Sequence, residues 1–292
     1  MLIRANSLGA FFLASRPKTL GAIICPVLIG SSLALSEGSF KILIFVLTLF
    51  CALLLQILAN LANDYADFLK GADGQQRIGP KRATASGLLQ PATMRALIIF
   101  ITVITFAIGA ILVFSGGIFI ALLGIFGLFL CFWYSFGLKY SLSHLGFSEI
   151  AVALFFGPLS VLGAYYMQSM KFSTEAMLAS IGPACLSSAL MLVNNLRDID
   201  EDRIFNKMTT AVRFGKQFSR SAIIALICAS MFAPLLFDIK IFWVGFSVIP
   251  AMMSLKILKE PVTSKFNQVL GRIGLSLYLY GLCMSAGILF VP

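Results

Sequence analysis

Charged residues are scarce in this chain. Asp, Glu, Lys and Arg make up 12% of its 292 residues, whereas 59% are hydrophobic and the mean hydropathy is +0.96. A soluble globular domain carries about 25% charged residues. A water-facing surface cannot be covered with so few charges, so the composition excludes an ordinary soluble domain and predicts an integral membrane protein.

Metal-binding and nucleophilic residue types are also scarce. The sequence has a single histidine, His144, and its six cysteines form no CxxC pair. A bis-histidine haem and a zinc site both need more of these ligands. Because most cysteines lie inside apolar runs, they are interpreted as small packing residues.

Long apolar runs are what the sequence has in abundance. A membrane-spanning helix needs about 20 mostly apolar residues, and in lipid the backbone must satisfy its hydrogen bonds internally. Runs of this kind predict an all-α polytopic membrane protein with nine transmembrane helices, at roughly 19–35, 42–63, 96–114, 117–136, 148–167, 176–196, 221–237, 241–256 and 268–290. A short hairpin around Ser115 to Gly117 is expected to join the spans at 96–114 and 117–136.

The positive charges predict the orientation of these helices. With nine spans and a cytoplasmic N-terminus, 19 of the 22 Lys and Arg residues fall on the cytoplasmic side, and only Lys41, Lys171 and Lys240 fall outside. Cytoplasmic loops of membrane proteins carry such an excess. The chain is therefore predicted to have its C-terminus outside, and its net charge of +10 is interpreted as topology and attraction to anionic lipid, not as nucleic-acid binding.

The few acidic residues are concentrated at two places. Seven of the twelve lie in the stretches "NDYADFLKGAD" and "NNLRDIDED", each following a predicted span on the cytoplasmic side: Asp64, Asp67, Asp73, Asp198, Asp200, Glu201 and Asp202. Asn precedes Asp in both stretches, so they form a weak internal repeat.

The spacing within each stretch places oxygen-bearing side chains on one helix face. Asn60 and Asp64, and Asn63 and Asp67, are four residues apart; Asn194 and Asp198, and Asp198 and Asp202, repeat this interval. Residues three or four apart share a helix face. Acids near a helix C-terminus are repelled by its partial negative charge, so each cluster should attract cations.

Mg²⁺ fits this requirement because it prefers oxygen ligands and is usually held by carboxylates together with substrate phosphates. Basic residues that could contact phosphate oxygens lie within or after the two acidic stretches: Arg77, Lys81, Arg82, Arg197, Arg203, Lys207 and Arg213. Together the two stretches predict a diphosphate pocket at the cytoplasmic end of the helices.

Plainer interpretations compete with this one. Asp and Asn also end helices, and basic loops follow from topology. Tyr134 and Lys139 could be an interface aromatic and a topology-setting lysine, and the role of Glu149 is open. A transporter is the alternative of another class, but it would favour ionisable groups at mid-membrane.

The motifs resemble those of UbiA-type intramembrane aromatic prenyltransferases. "NDYADFLKGAD" is similar to the family's first Asp-rich motif and "NNLRDIDED" to its second. "RPKTL", "RIGPKRATASGLL" and "NKMTTAVRFGK" resemble the branch that acts on 1,4-dihydroxy-2-naphthoate in menaquinone synthesis. Where the superfamily has a third Asp, four residues after Asp67, this chain has Gly71, and its next acid is Asp73, as in that branch.

The resemblance implies one domain over residues 1–292, a nine-helix UbiA-like bundle around a central cavity, with cytoplasmic cap loops at about 64–95 and 197–220. It implies Mg²⁺ as cofactor, an isoprenyl diphosphate and an aromatic acceptor as substrates, a bacterial inner membrane, and no obligate protein partner. Prenyl transfer to 1,4-dihydroxy-2-naphthoate with loss of CO₂ would give a demethylmenaquinol. Sister enzymes that act on 4-hydroxybenzoate or haem b remain the alternatives.

Site residues follow in three groups. The expected metal ligands are Asn63, Asp64, Asp67, Asn195, Asp198 and Asp202. The expected catalytic residues are Asp64, Asp67, Asp198, Asp202, Tyr134 and Lys139. The expected substrate-binding residues are Arg16, Asn60, Lys70, Asp73, Arg77, Arg82, Asn194, Arg197, Lys207 and Arg213. Arg16 and Lys139 would attract an anionic acceptor, and Tyr134 would hydrogen-bond a ring hydroxyl.

Overall fold

The computed structural model describes residues 4–71, 78–79, 82–136 and 146–291. Within these ranges the chain is helical and contains no β-strand, so the predicted all-α class is confirmed. The helices are α1 Leu8–Ala14, α2 Gly21–Ser36, α3 Ile42–Leu69, α4 Pro91–Phe136, α5 Ser148–Leu154, α6 Ser160–Ser169, α7 Thr174–Ala179, α8 Ile181–Arg197, α9 Ile199–Ile204, α10 Thr210–Phe232, α11 Pro234–Phe237, α12 Ile249–Met252, α13 Leu255–Lys259 and α14 Phe266–Phe290. Short 3₁₀ segments lie at Pro17–Thr19 and Ile239–Val248, and a π-helical segment at Phe155–Leu159 joins α5 to α6.

Five helical stretches in the described ranges are long and apolar enough to cross a membrane, and six if the bent pair Leu8–Thr19 and Gly21–Ser36 counts as one. The five are Ile42–Leu69, Pro91–Phe136, Ser148–Ser169, Thr174–Arg197 and Phe266–Phe290. The chain is therefore a multi-pass helical membrane protein, while nine spans stays a prediction.

Part of the difference lies in α4, which is 46 residues long. The sequence predicts two spans here, and the structure interrupts the helix at Gly117, whose φ is 65°. A left-handed φ is cheap for glycine and costly for residues with a Cβ. The expected connection around Ser115 to Gly117 thus coincides with the one non-helical residue of this element.

The helices pack in two groups. Buried residues of α2, α6, α8, α10 and α14 form the larger hydrophobic core, and α1, α3, α4 and residues 83–89 form a second one. α2 and α6 approach closely at Gly30, where an added Cβ would fall 2.9 Å from the backbone nitrogen of Tyr165. Small residues permit such contacts between membrane helices. The outer faces stay apolar: Phe114 is 93% exposed and Ile118 75%, as expected where lipid covers the surface.

Candidate active site

A cavity of about 480 Å³ lies between the two groups of helices. Apart from Gln56 on α3 and Ser187 on α8, the lining residues of α3, α4 and α8 change from apolar to polar towards the C-terminus of each helix. On α3 the order is Ala52, Leu55, Ala59, Asn63, Asp67; on α4 it is Gly127, Leu130, Tyr134; on α8 it is Leu190, Asn194, Asp198. The cavity therefore has an apolar part deep among the helices and a charged part at their C-terminal ends.

The first acidic cluster holds the loop that follows α3. The Asp64 carboxylate accepts hydrogen bonds from the backbone N–H groups of Ala83 and Thr84, at 2.9 and 3.0 Å. Asp67 pairs with the guanidinium of Arg82 and, at 3.2 Å, with the Lys207 ammonium. Both carboxylates are buried, and a buried charge is tolerated only when it is paired and hydrogen-bonded.

Arg82 reinforces this arrangement. It also donates to the backbone carbonyl of Asn63, at 3.2 Å. Burial, followed by repulsion from Arg16, lowers the pKa of Arg82 to about 10. The side chain therefore remains a cation at neutral pH and can balance negative charge in the cavity.

The second acidic cluster is organised around Arg197. Its guanidinium contacts both carboxylate oxygens of Asp198, at 2.7 and 2.6 Å, and donates to the side-chain oxygens of Asn194 at 2.8 Å and Asn267 at 3.0 Å. Two parallel N–H···O bonds make Arg–carboxylate pairs strong and directional. Through its hydrogen bond to Asn267, Arg197 thus connects the end of α8 to the start of α14.

Asp202 lies one helical turn beyond Asp198. It is buried and accepts a hydrogen bond from the Thr209 hydroxyl at 3.3 Å. Burial raises its pKa to about 7, against an opposing attraction from Lys207. A nearby cation would therefore stabilise its charged form.

The polar end of the cavity also includes the segment before α2. Arg16 has a left-handed φ of 52°, although it precedes a proline, and a residue before proline favours extended backbone. Asn60 holds this segment in place, because its amide donates to the Ser15 carbonyl at 2.9 Å and to the Thr19 hydroxyl at 3.3 Å. The strained turn keeps Arg16 at the cavity wall.

The donor chemistry of the site fits a magnesium ion. Four buried aspartates and several asparagines line one end of the cavity, and oxygen ligands of this kind suit Mg²⁺. Within the described residues, however, no three His, Cys, Asp or Glu side chains are grouped closely enough to hold one ion. In this structure protein cations, backbone N–H groups and the Thr209 hydroxyl pair with these carboxylates. The ligand set that the resemblance implies stays a prediction: Asn63, Asp64, Asp67, Asn195, Asp198 and Asp202.

Most of the residues predicted from sequence meet at this cavity. Those lining it are Arg16, Asn60, Asn63, Asp64, Asp67, Arg82, Tyr134, Asn194, Asn195, Arg197, Asp198, Asp202 and Lys207. Two others lie elsewhere: Lys70 donates to the Ser135 carbonyl at 2.8 Å, and exposed Arg213 donates to the Met208 carbonyl at 3.2 Å. Asp73, Arg77 and Lys139 lie outside the described residues. The role of each residue stays a prediction.

Some lining residues were not predicted: Lys18, Thr19, Gln56, Ser187, Met191, Glu201, Thr209 and Asn267. Gln56 and Ser187 carried a usable signal, because polar side chains inside a membrane span often mark functional surfaces. Asn267 gave none, since its proximity to Arg197 depends on how α14 packs.

An apolar helical bundle with paired acids and bases at one end of its cavity suits an anionic head group joined to an apolar tail. The profile of the UbiA prenyltransferase family matches residues 23–264, and the chain belongs to this family, as the motifs predicted.

Relatives agree with the assignment over most of the chain. The chain is 31% identical over 290 residues to a Haemophilus influenzae protein named 1,4-dihydroxy-2-naphthoate octaprenyltransferase, with 94% of each chain covered. An Escherichia coli protein of the same name is 36% identical over 230 residues, covering 77% of this chain and 74% of that protein. These similarities support a prenyl transfer to an aromatic acceptor.

A solved structure shows the fold. The structure of a UbiA homolog from Archaeoglobus fulgidus bound to GPP and Mg²⁺ covers 97% of this chain and 100% of its own, with a TM-score of 0.64 and 14% sequence identity. The UbiA-like fold implied by the motifs is thereby confirmed.

Proposed function

We propose that this chain transfers a polyprenyl group from an isoprenyl diphosphate to 1,4-dihydroxy-2-naphthoate, with loss of CO₂, to give a demethylmenaquinol. The observation that carries the proposal is the cavity itself, in which acids and bases lie at one end and apolar side chains at the other. The relatives named as 1,4-dihydroxy-2-naphthoate octaprenyltransferases support the choice of acceptor. The neighbour bound to GPP and Mg²⁺ supports the choice of donor and metal.

In the proposed reaction the allylic C–O bond breaks, the diphosphate leaves, and a ring carbon attacks the resulting cation. The ring gains the prenyl group and loses its carboxylate as CO₂, so the ring itself needs no net proton, and the C–O bond electrons leave with the diphosphate. Mg²⁺, when bound, would neutralise charge on the diphosphate as a Lewis acid.

The chain's own residues bind and orient the substrates. Arg82 and Lys207, which pair with Asp67 in this structure, would turn to the phosphate oxygens. Tyr134 reaches Met191 at 3.7 Å and would hydrogen-bond a hydroxyl of the acceptor, with Arg16 and Lys139 attracting its carboxylate. The apolar part of the cavity would exclude water from the cation.

The membrane placement completes the proposal. Residues 1–292 would form one domain in the bacterial inner membrane, with the N-terminus and the cap loops at about 64–95 and 197–220 in the cytoplasm. Soluble acceptor would then enter from the cytoplasm, while the prenyl tail reaches the cavity from the bilayer.

A competition assay tests acceptor choice. Purified protein with Mg²⁺ and a long prenyl diphosphate is given equal concentrations of 1,4-dihydroxy-2-naphthoate and 4-hydroxybenzoate, and the products are separated by mass. We expect the product of 1,4-dihydroxy-2-naphthoate to dominate by at least about tenfold, the discrimination that about 1.4 kcal/mol gives. Its mass should show that the acceptor has lost CO₂. Dominance of prenylated 4-hydroxybenzoate would overturn the acceptor, and no product from either would overturn the reaction.

A further inference from the structure

Glu149 lies at the start of α5 and joins three helices. Its Oε1 accepts a hydrogen bond from the Asn195 amide at 2.7 Å, and its Oε2 accepts one from the Thr210 hydroxyl at 2.6 Å. The Ser148 hydroxyl also donates to Oε2, at 3.1 Å. α5, α8 and α10 therefore converge on one carboxylate.

The position of this carboxylate is well defined. The Ser188 hydroxyl of α8 donates to the backbone carbonyl of Glu149, at 3.0 Å, so the main chain of Glu149 is hydrogen-bonded to α8 as well as its side chain. Glu149 itself does not line the cavity, whereas Asn195 does. Glu149 can therefore orient a bound ligand only through a neighbour that touches it.

Asn195 is that neighbour. Its amide nitrogen is occupied by Glu149 at 2.7 Å and by the Ser148 hydroxyl at 3.3 Å. A carboxylate only accepts hydrogen bonds, so it selects the amide orientation that turns N–H towards it. With the nitrogen held by Glu149, the amide oxygen is the side-chain atom that Asn195 can offer to a ligand in the cavity, which this residue lines.

We propose that Glu149 is a positioning residue that locks the Asn195 amide so that its oxygen faces the metal and diphosphate end of the cavity. This inference rests on the proposed function, because it assumes that a divalent cation binds beside Asn195. A flipped amide would present N–H donors, which repel a cation. Groups that orient a metal ligand in this way typically contribute 10–100-fold to metal affinity.

The test separates orientation from charge. Glu149→Gln removes the negative charge but keeps an oxygen that accepts from Asn195, and its amide can donate to Thr210. Glu149→Leu removes both acceptors at similar size. The matched control is Glu37→Leu, because Glu37 likewise accepts a hydroxyl hydrogen bond, from Tyr165 at 2.6 Å, but neither of these residues lines the cavity.

The measurement is Mn²⁺ binding to the purified full chain with inorganic diphosphate, by electron paramagnetic resonance, beside thermal unfolding without metal. We expect Glu149→Leu to weaken Mn²⁺ binding by about 10–100-fold, and Glu149→Gln and Glu37→Leu to stay within about threefold of the unmodified chain. In an Asn195→Ala background, Glu149→Leu should cause little further loss, because the two side chains act as one unit.

Equal losses in Glu149→Gln and Glu149→Leu would show a charge effect and overturn the inference, as would no loss in Glu149→Leu. If Glu149→Leu does not fold, Mn²⁺ binding is compared between Asn195→Ala and Glu149→Gln. Weaker binding in Asn195→Ala alone supports the orienting role, and equal binding in the two variants overturns it. Absence of Mn²⁺ binding by the unmodified chain would instead refute the proposed metal dependence.

Discussion

At the scale of residues, the site is a balance of buried charges. Asp64, Asp67, Asp198 and Asp202 are all buried, and Arg82 and Arg197 are buried beside them. Removing one partner of such a pair leaves an uncompensated charge, which costs more than the pair contributes. Each of these side chains is therefore expected to be sensitive to substitution even where it touches no substrate.

Substitution of the paired acids should abolish most activity. We expect Asp67→Asn and Asp198→Asn each to lower prenyl transfer by about 10²–10³-fold, the loss typical of one electrostatic contact in a transition state. Turnover is measured with Mg²⁺ and with EDTA.

Asp200→Asn is the control, because Asp200 belongs to the same motif but its side chain is 63% exposed and pairs with Lys216 at 3.1 Å. Its activity should remain close to normal. Near-normal turnover in Asp67→Asn or Asp198→Asn, or full activity in EDTA, would refute a two-cluster metal site.

At the scale of elements, close helix packing keeps the cavity walls together. α2 contacts α6, α14 and α8, and its buried residues belong to the larger core. Of the two glycines in α2, Gly30 is the one that packs against the backbone of α6. Displacing α2 would also shift the strained turn at Arg16, which precedes this helix.

Gly30→Ala should therefore destabilise the protein. The added Cβ would meet the backbone of α6, which cannot move aside without repacking, and overpacking of this kind costs about 1–3 kcal/mol. The measurement is thermal unfolding in detergent.

Gly109→Ala in α4 is the matched control, because nothing lies within 4 Å of its added Cβ and alanine favours helix over glycine. It should unfold at the same or a higher temperature. A Gly30→Ala variant as stable as Gly109→Ala would contradict the tight α2–α6 contact.

At the scale of the whole molecule, the surface and the charges define how the protein lies in a bilayer. Exposed large apolar side chains are spread over α3, α4 and the Ile239–Met252 region, where lipid would cover them. In the predicted topology, most Lys and Arg residues fall on the side where the acids cluster. The positive-inside rule then predicts a cytoplasmic site.

Cysteine labelling tests this orientation in intact cells. Ser86 and Thr174 are exposed and lie in connections predicted on opposite sides. We expect an impermeant thiol reagent to label Thr174→Cys from outside and Ser86→Cys only after cell disruption. Labelling of the unmodified chain, which has six cysteines, gives the background. The reverse pattern would show an inverted topology.

Sequence alone determined the class of protein and the position of its acidic clusters. Apolar runs, the uneven distribution of Lys and Arg, and the four-residue spacing of Asn and Asp are local properties, and lipid and helix geometry act on them directly. They sufficed for the all-α membrane fold. Together with the family resemblance of the motifs, they also gave thirteen of the site residues that line the cavity.

Only the tertiary structure decided which groups pair. Asp67 and Lys207 meet although 140 residues separate them, and Glu149 reaches Asn195 across 46. Lys70 instead donates to the Ser135 carbonyl and does not line the cavity, although it belongs to the first motif. Such contacts depend on how helices distant in sequence pack together, and neither composition nor spacing carries that information.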